Sequence, residues 1–115
     1  MRYRAISMAC VGLAALVRIL RDEWGVPHIF GQRDPDTAYG LGYAHCEDDW
    51  TSIEDAILLA RGHMAAVHGR SHAQFDYMIH LMRVWEFVEA KYESDLSPEF
   101  RAVVEAYCDG ITHYA

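Results

Sequence analysis

Residues 21–50 read RDEWGVPHIFGQRDPDTAYGLGYAHCEDDW, and the period of the sequence changes inside this stretch. Its first part is extended. Asp22 to Gly25 form a polar turn in which Gly25 takes positive φ without steric cost, and Pro27 opens the short apolar run His28-Ile29-Phe30. Immediately upstream, Val17-Arg18-Ile19-Leu20-Arg21 supplies the other strand of a hairpin. The second part is helical: Asp34 is a good N-cap with Pro35 at the first helical position, and Tyr39, Tyr43, Cys46 and Trp50 then recur at alternating steps of four and three. Gly40 and Gly42 sit inside that pattern at a cost of up to ~1 kcal/mol each relative to alanine, so another backbone is expected to pack closely there.

Toward the C-terminus the apolar stripe continues through Ile53, Ile57, Ala60, Met64 and Val67, as one long helix or two consecutive ones, with Gly62 as the break and Gly69 as the stop. A further helix is predicted from about Ser71 to Tyr92. Phe75, Met78, Met82, Trp85, Val88 and Tyr92 form one face of it and Leu81 and Val84 widen that face, which calls for burial between other elements. The last helix starts at Ser97 as N-cap with Pro98 following, and presents Phe100, Val103, Val104, Tyr107, Ile111 and Tyr114 on its inner side. The chain stops at Ala115 with this stripe still running, which reads as a truncation. The expected class is α+β, mostly α-helical with one short N-terminal β-hairpin. Two strands alone are marginal in water, and nothing after the hairpin offers a partner strand. Residues 16–115 are therefore expected to be an incomplete domain that exposes apolar patches and aggregates when isolated.

Toward the N-terminus, the first 21 residues carry Arg2, Arg4, Arg18 and Arg21 and no acid. The uncharged run Ala5–Val17 spans 13 residues, short of the ~20 needed to cross a bilayer. Residues 1–15 read instead as a signal peptide: a basic start, an apolar core from Ala5 to Leu13, and small residues Gly12 and Ala14 for cleavage after Ala14. The product is expected to be periplasmic or secreted. Beyond residue 21 there are 17 acids and 6 bases, a net charge of −11 that repels phosphate backbones and anionic lipid, so no nucleic acid and no membrane span are expected. Of the three cysteines, Cys10 would leave with the leader. An oxidising compartment would permit a Cys46–Cys108 disulfide, with two small buried thiols on helix faces as the simpler reading.

No catalytic centre can be assembled from these residues. The strand-to-helix serine elbow G-x-S-x-G is missing, and Ser52, Ser71, Ser94 and Ser97 fall on helix surfaces or caps. His45-Cys46-Glu47 has the H-x-E spacing of zinc deaminases but lacks their P-C-x-x-C. Of His63, His68 and His72 only the second pair can share a helix face. Gly40-Leu41-Gly42 lacks the third glycine of a dinucleotide loop. The acids Glu47, Asp48, Asp49, Glu54 and Asp55 lack the spacing of a calcium loop and read as a solvated helix face. The expected site assignments are therefore none catalytic, none substrate-binding and none for metal.

Two ordered motifs carry a resemblance. Arg21-Asp22-Glu23-Trp24-Gly25-Val26-Pro27-His28-Ile29, followed by Tyr39-Gly40-Leu41-Gly42-Tyr43-Ala44-His45 and Cys46-Glu47-Asp48-Asp49, resembles the start of the α chain of the penicillin acylase family. Leu96-Ser97-Pro98-Glu99 through Val104-Glu105-Ala106-Tyr107-Cys108-Asp109-Gly110-Ile111 is similar to that family's E-A-Y-A-D-G helix. The family usually has alanine where this chain has Cys46 and Cys108, and Arg or Asn where it has Asp49. The resemblance implies an N-terminal-nucleophile hydrolase of αββα fold, in which a precursor cleaves itself into α and β chains. The liberated β-chain serine then attacks the amide of an N-acylated small molecule such as a penicillin or an acyl-homoserine lactone, with its own α-amine as base. It also implies as partners the remainder of the α chain and the β chain, a structural calcium held through residues beyond Ala115, and no catalytic role for this segment. His28 and Tyr39 become fold determinants. The pattern Arg61-Gly62, Ala65-Ala66-Val67-His68-Gly69 and Asp76-Tyr77 is closer to the lactone and aculeacin acylases than to penicillin G acylase. The competing reading is a non-enzymatic helical module that binds a partner protein through its Trp- and Met-rich faces. A stop codon directly after Ala115 would favour it.

Overall fold

A computed structural model describes residues 4–6 and 17–115. Apart from Arg4–Ile6, the signal peptide read at residues 1–15 lies outside the described residues. The elements run β1 (Arg4–Ile6), β2 (Val17–Arg21), β3 (Pro27–Gly31), α1 (Asp34–Arg61), α2 (Met64–His68), a 3-10 turn (Arg70–His72), α3 (Ala73–Leu81), α4 (Val84–Asp95) and α5 (Pro98–Tyr114). They form two compact units, one of residues up to Asp48 together with Pro98–Ala115, the other Asp49–Ser97.

In the first unit, β2 and β3 pair antiparallel with Ile19 opposite Ile29 and Arg21 opposite Pro27, as the sequence predicts. The turn between them is tied by the Asp22 carboxylate, whose Oδ1 accepts the N–H groups of Trp24 and Val26 at 2.9 and 3.0 Å, and Gly25 has φ +82°. The third strand was not anticipated. β1 pairs antiparallel with the other edge of β2, placing Ala5 opposite Leu20, so the hairpin's partner comes from before it in the chain.

Helix α1 starts one position earlier than the cap reading at Asp34 implies. The carbonyl of Arg33 accepts the Thr37 N–H at 3.1 Å, so Arg33 is the cap residue. Asp36 reaches back to the Arg33 N–H at 3.1 Å, which is the acidic half of a capping box. The side chain of Arg33 closes on the same carboxylate through Nε and one terminal nitrogen, and Asp36 has no exposed surface.

The two interior glycines of α1 do what their cost demands. A Cβ on Gly40 would lie 2.5 Å from Val17 Cγ1 and 2.7 Å from Ile29 Cγ2, so this turn of the helix lies directly on the sheet. A Cβ on Gly42 would lie 2.3 Å from the Tyr107 carbonyl oxygen, and one on Gly110 would lie 2.1 Å from the Tyr39 carbonyl oxygen. Helices α1 and α5 thus touch backbone to backbone through a glycine from each. Around this contact Ile19, Tyr39, Ala44, Cys46 and Ala106 are buried.

The second unit opens at a break in α1. Asp49 is non-helical, at φ −154° and ψ 71°, and its Oδ1 accepts the Ser52 N–H at 3.1 Å, so it caps the segment that follows. The predicted break at Gly62 and stop at Gly69 are both present. Gly62 at φ +66° donates to Leu59, and His63 donates to Leu58, the paired bonds of a Schellman ending. Asp76 caps α2 from a distance by accepting the Met64 and Ala65 N–H groups at 2.9 and 2.8 Å. Trp85 Nε1 donates to the Ala60 carbonyl at 2.7 Å while the Arg61 guanidinium lies 4.0 Å over its ring.

Two expectations need correction here. The single helix from Ser71 to Tyr92 is broken at Met82-Arg83, where Arg83 adopts φ 52°, a left-handed conformation that no glycine or proline announces. The broad apolar face of that stretch is not buried among the described residues. Phe75, Leu81 and Met82 of that face are each at least half exposed, and α3 and α4 contain no buried residue.

Candidate functional site

The most polar constellation of the first unit is built where the hairpin turn meets the middle of α1. Arg21, at the end of β2, reaches Glu47 at 3.1 Å and Asp48 at 2.8 Å, and also donates to the Gly25 carbonyl at 2.8 Å. One side chain therefore ties strand, turn and helix. Burial works against its charge, and the two carboxylates more than offset that, so the guanidinium is held more firmly protonated than usual. Beside it His28 Nε2 lies 3.2 Å from Asp22 Oδ2. Burial alone would raise the Asp22 carboxyl, but the bonds from His28, Val26 and Trp24 together hold it below its ordinary range. Between these groups an open groove of about 710 Å³ is walled by Trp24, Val26 and Pro27 on one side and Glu47 and Asp48 on the other. The Trp24 ring is 83% exposed.

Chemically this corner is a clamp. Arg21, Glu47 and Asp48 are all carboxylate or guanidinium, and among the described residues no hydroxyl or thiol stands beside a base there. Replacing Arg21 with methionine leaves Glu47 and Asp48 facing each other without a cation, and is expected to lower stability by about 1–2 kcal/mol in urea denaturation. An unchanged midpoint would show that the clamp contributes nothing.

The other polar residues singled out by sequence are placed as follows. His45 Nδ1 lies 2.9 Å from the Tyr107 hydroxyl, Glu47 is held by Arg21, and Cys46 is fully buried with its thiol pushed up by desolvation, so the H-x-E triplet points three ways. Burial also raises the Tyr107 hydroxyl, with smaller contributions from Cys46 and Cys108. Both cysteines are free thiols, and Cys108 is exposed, which departs from the reading of two buried thiols. Tyr39, 8% exposed, meets the His113 ring through its hydroxyl and fits its part as a fold determinant.

In the second unit Gly69 separates His68, the last residue of α2, from His72 in the 3-10 turn, so the two share no helix face although their ring centroids lie 5.5 Å apart, and His68 Nε2 is 2.6 Å from Asp55 Oδ1. Ser71 Oγ lies 3.2 Å from His72 Nδ1. This is a contact between chain neighbours on an exposed turn, and the histidine–carboxylate pairs among the described residues are at His28 and His68 instead. Ser52 belongs to the Asp49 cap and Ser94 bonds Lys91 and Asp95. Among the described residues no three His, Cys, Asp or Glu side chains converge in a way that could hold a metal ion. Glu47 and Asp48 are committed to Arg21, Asp49 to Ser52 and Asp55 to His68. No helix among the described residues is long and apolar enough to cross a membrane.

The sequence model of the penicillin amidase family matches residues 16–115. The chain belongs to the penicillin amidase family. It is similar to the penicillin acylase 2 proenzyme of Pseudomonas sp. (strain SE83), 29% identical across 94% of this chain and 14% of that protein. It is 32% identical to the penicillin G acylase of Escherichia coli across 83% of this chain and 11% of that protein. An acyl-homoserine lactone acylase of Pseudomonas aeruginosa is 29% identical across 90% of this chain and 12% of that protein. Among solved structures, the thermostable penicillin G acylase from Alcaligenes faecalis superposes with a TM-score of 0.69 at 28% identity, covering 85% of this chain and 52% of that one. The chain thus spans 11–14% of the length of these relatives. Sequence reading passed over Arg33 and Asp36, because a pair three apart on a helix start looks like any solvated pair until its burial is known.

Proposed function

We propose that this chain is the N-terminal part of the α chain of an exported acylase that hydrolyses the amide bond of N-acylated small molecules. The observation that carries the proposal is the family match across residues 16–115. The names of the relatives, penicillin acylases and acyl-homoserine lactone acylases, supply the two substrate classes. The larger enzyme would complete the αββα fold and bring the β chain with its N-terminal serine, for which the described residues offer no substitute. Their part in the reaction is mechanical: the Arg21 clamp and the glycine contact between α1 and α5 hold sheet and helices in one geometry. Cover for the exposed face of α3 and α4 would come from the rest of that protein. Any structural calcium would be held by residues outside this chain.

Export belongs to the same proposal. It rests on the arginines at 2 and 4, the apolar run from Ala5 and the small residues Gly12 and Ala14, and on a family match that starts only at residue 16. The test extends the reading frame past Ala115, purifies the processed product and incubates it with acyl-homoserine lactones of several chain lengths and with penicillin G. Mass spectrometry of the released amine is the readout. The whole product is expected to turn over at least one class, while residues 1–115 alone turn over neither. Hydrolysis by the 115-residue chain alone, or none by the processed whole, would overturn the proposal.

A further inference from the structure

Arg4–Ile6 occupy two roles in one chain. Their backbone forms β1, paired with β2 through Arg4–Arg21, Ala5–Leu20 and Ile6–Ile19. The same residues lie in the basic and first apolar part of the leader, and the family match begins at residue 16, after β1 and just before β2. So β2 and β3 lie inside the span that the family model matches, and the neighbour that covers the free edge of β2 lies outside it.

We propose that β1 is a placeholder strand: it covers the Ile19–Arg21 part of the β2 edge while the leader is attached, and leader removal frees that edge for a longer strand from the rest of the precursor. The proposal rests on the export reading above. An edge strand left bare presents a row of unpaired N–H and C=O groups, a template for pairing with any other chain. β2 is a poor candidate for a bare edge, because Val-Arg-Ile-Leu-Arg is rich in β-branched and apolar residues, has no proline, and Ile19 is only 3% exposed. A temporary cover would prevent association during synthesis and transit. The cover is also weak enough to lose. β1 pairs with three residues of β2, whereas β3 pairs with all five, so a strand matching the full length of β2 would outcompete it once it is no longer tethered.

The occupant is a strand of the same precursor, because the matched residues make up 14% or less of the relatives' own length. Its chemistry follows from β2. It should be at least five residues long and apolar on the side of Val17 and Ile19, which face Gly40 of α1. On the other side it must accommodate Arg18, whose guanidinium lies 5.3 Å over the Phe30 ring.

The test uses the full-length precursor with Ala5→Cys and Leu20→Cys in a Cys10→Ser background. Directly opposed residues of an antiparallel pair have Cα atoms ~4.5–5.5 Å apart, within disulfide reach. Peptide mapping of the uncleaved precursor under oxidising conditions is expected to find a 5–20 linkage in most molecules. The linked leader, still attached after cleavage, should slow accumulation of processed enzyme at least ~10-fold, and reductant should restore it. Normal accumulation with the linkage closed would overturn the proposal. Should the cysteine variant fail to fold, hydrogen exchange on the unsubstituted precursor decides: the edge at residues 19–21 is expected to be protected both before and after cleavage. An unprotected edge before cleavage, or an edge held by a second copy in the mature enzyme, would overturn it. The N-terminal mass of the exported protein separates the two readings. Retention of residues 1–14 sinks export and the placeholder together, whereas clean removal with no 5–20 linkage in the precursor sinks the placeholder alone.

Discussion

Replacing Gly110 with alanine is expected to destabilise the protein by about 3 kcal/mol, toward the upper end of what overpacking costs. Helix propensity argues the other way, since alanine is favoured over glycine by ~1 kcal/mol in a helix interior. Packing decides the sign. The new methyl would lie 2.1 Å from the Tyr39 carbonyl oxygen, 3.0 Å from its carbon and 3.1 Å from the Tyr43 nitrogen, all backbone atoms that cannot rotate aside. The helices would have to separate. That strains the Tyr39–His113 stacking and the edge contact of Tyr43 on Tyr114, and with them the pairing of His45 and Tyr107. Gly42→Ala meets the Tyr107 carbonyl at 2.3 Å and should behave alike. The double substitution should cost clearly less than the sum, because helices already parted by one methyl have room for the second. Gly25→Ala is the control: with φ +82° and nothing within 4 Å, it carries left-handed strain of about 1–2 kcal/mol and no clash. The measurement is the urea midpoint at unchanged slope. A neutral or stabilising Gly110→Ala would mean that α1 and α5 do not approach as closely as described.

The second large effect concerns acid stability. Asp36 has no exposed surface, and the hydrogen bonds from Arg33 lower its pKa, against a desolvation that would raise it. Because the folded value is below the ordinary 3.8, the stabilisation it brings is complete above that pH and is lost as pH falls through the folded value. Asp22 and Asp49 are depressed in the same direction, Asp22 by His28 and the turn N–H groups against its own desolvation, Asp49 by Ser52. Stability should therefore be level from neutral pH to about 5 and fall steeply below 4. Asp36→Asn should lower the midpoint at neutral pH, where Arg33 loses its anion. It should also reduce the acid slope by about one proton. Urea midpoints from pH 7 down to 2.5 for both proteins provide the check, and parallel acid limbs would remove Asp36 from the account.

Much of the local architecture was legible because its causes are local. The β2–β3 hairpin follows from Gly25 and Pro27 between two apolar runs, α5 from Ser97-Pro98, and the end of α1 from Gly62. The break at Arg83 was not, because a left-handed arginine has no compositional marker. Nor was the cap at Arg33, because the bond that identifies it depends on which carbonyl the first helical N–H selects. The candidate site was legible only as a family signature. The motif from Arg21 to Asp49 names its residues, but that Arg21 joins Glu47 and Asp48 requires strand and helix to be brought together first.

By itself, then, the sequence determined the hairpin, the sites of several helix ends, the family and the need for a close approach at Gly40 and Gly42. Turn chemistry, caps and periodicity act over a few residues and leave their mark in composition. Only the tertiary structure decided that the close approach at Gly42 is answered by Gly110, 68 positions on. It alone decided that Cys108 is exposed while Cys46 is buried, and that Arg4–Ile6 pair with the other edge of β2. Contacts between distant residues depend on how whole faces fit, and a face is defined only after the helices and strands that carry it have taken their places.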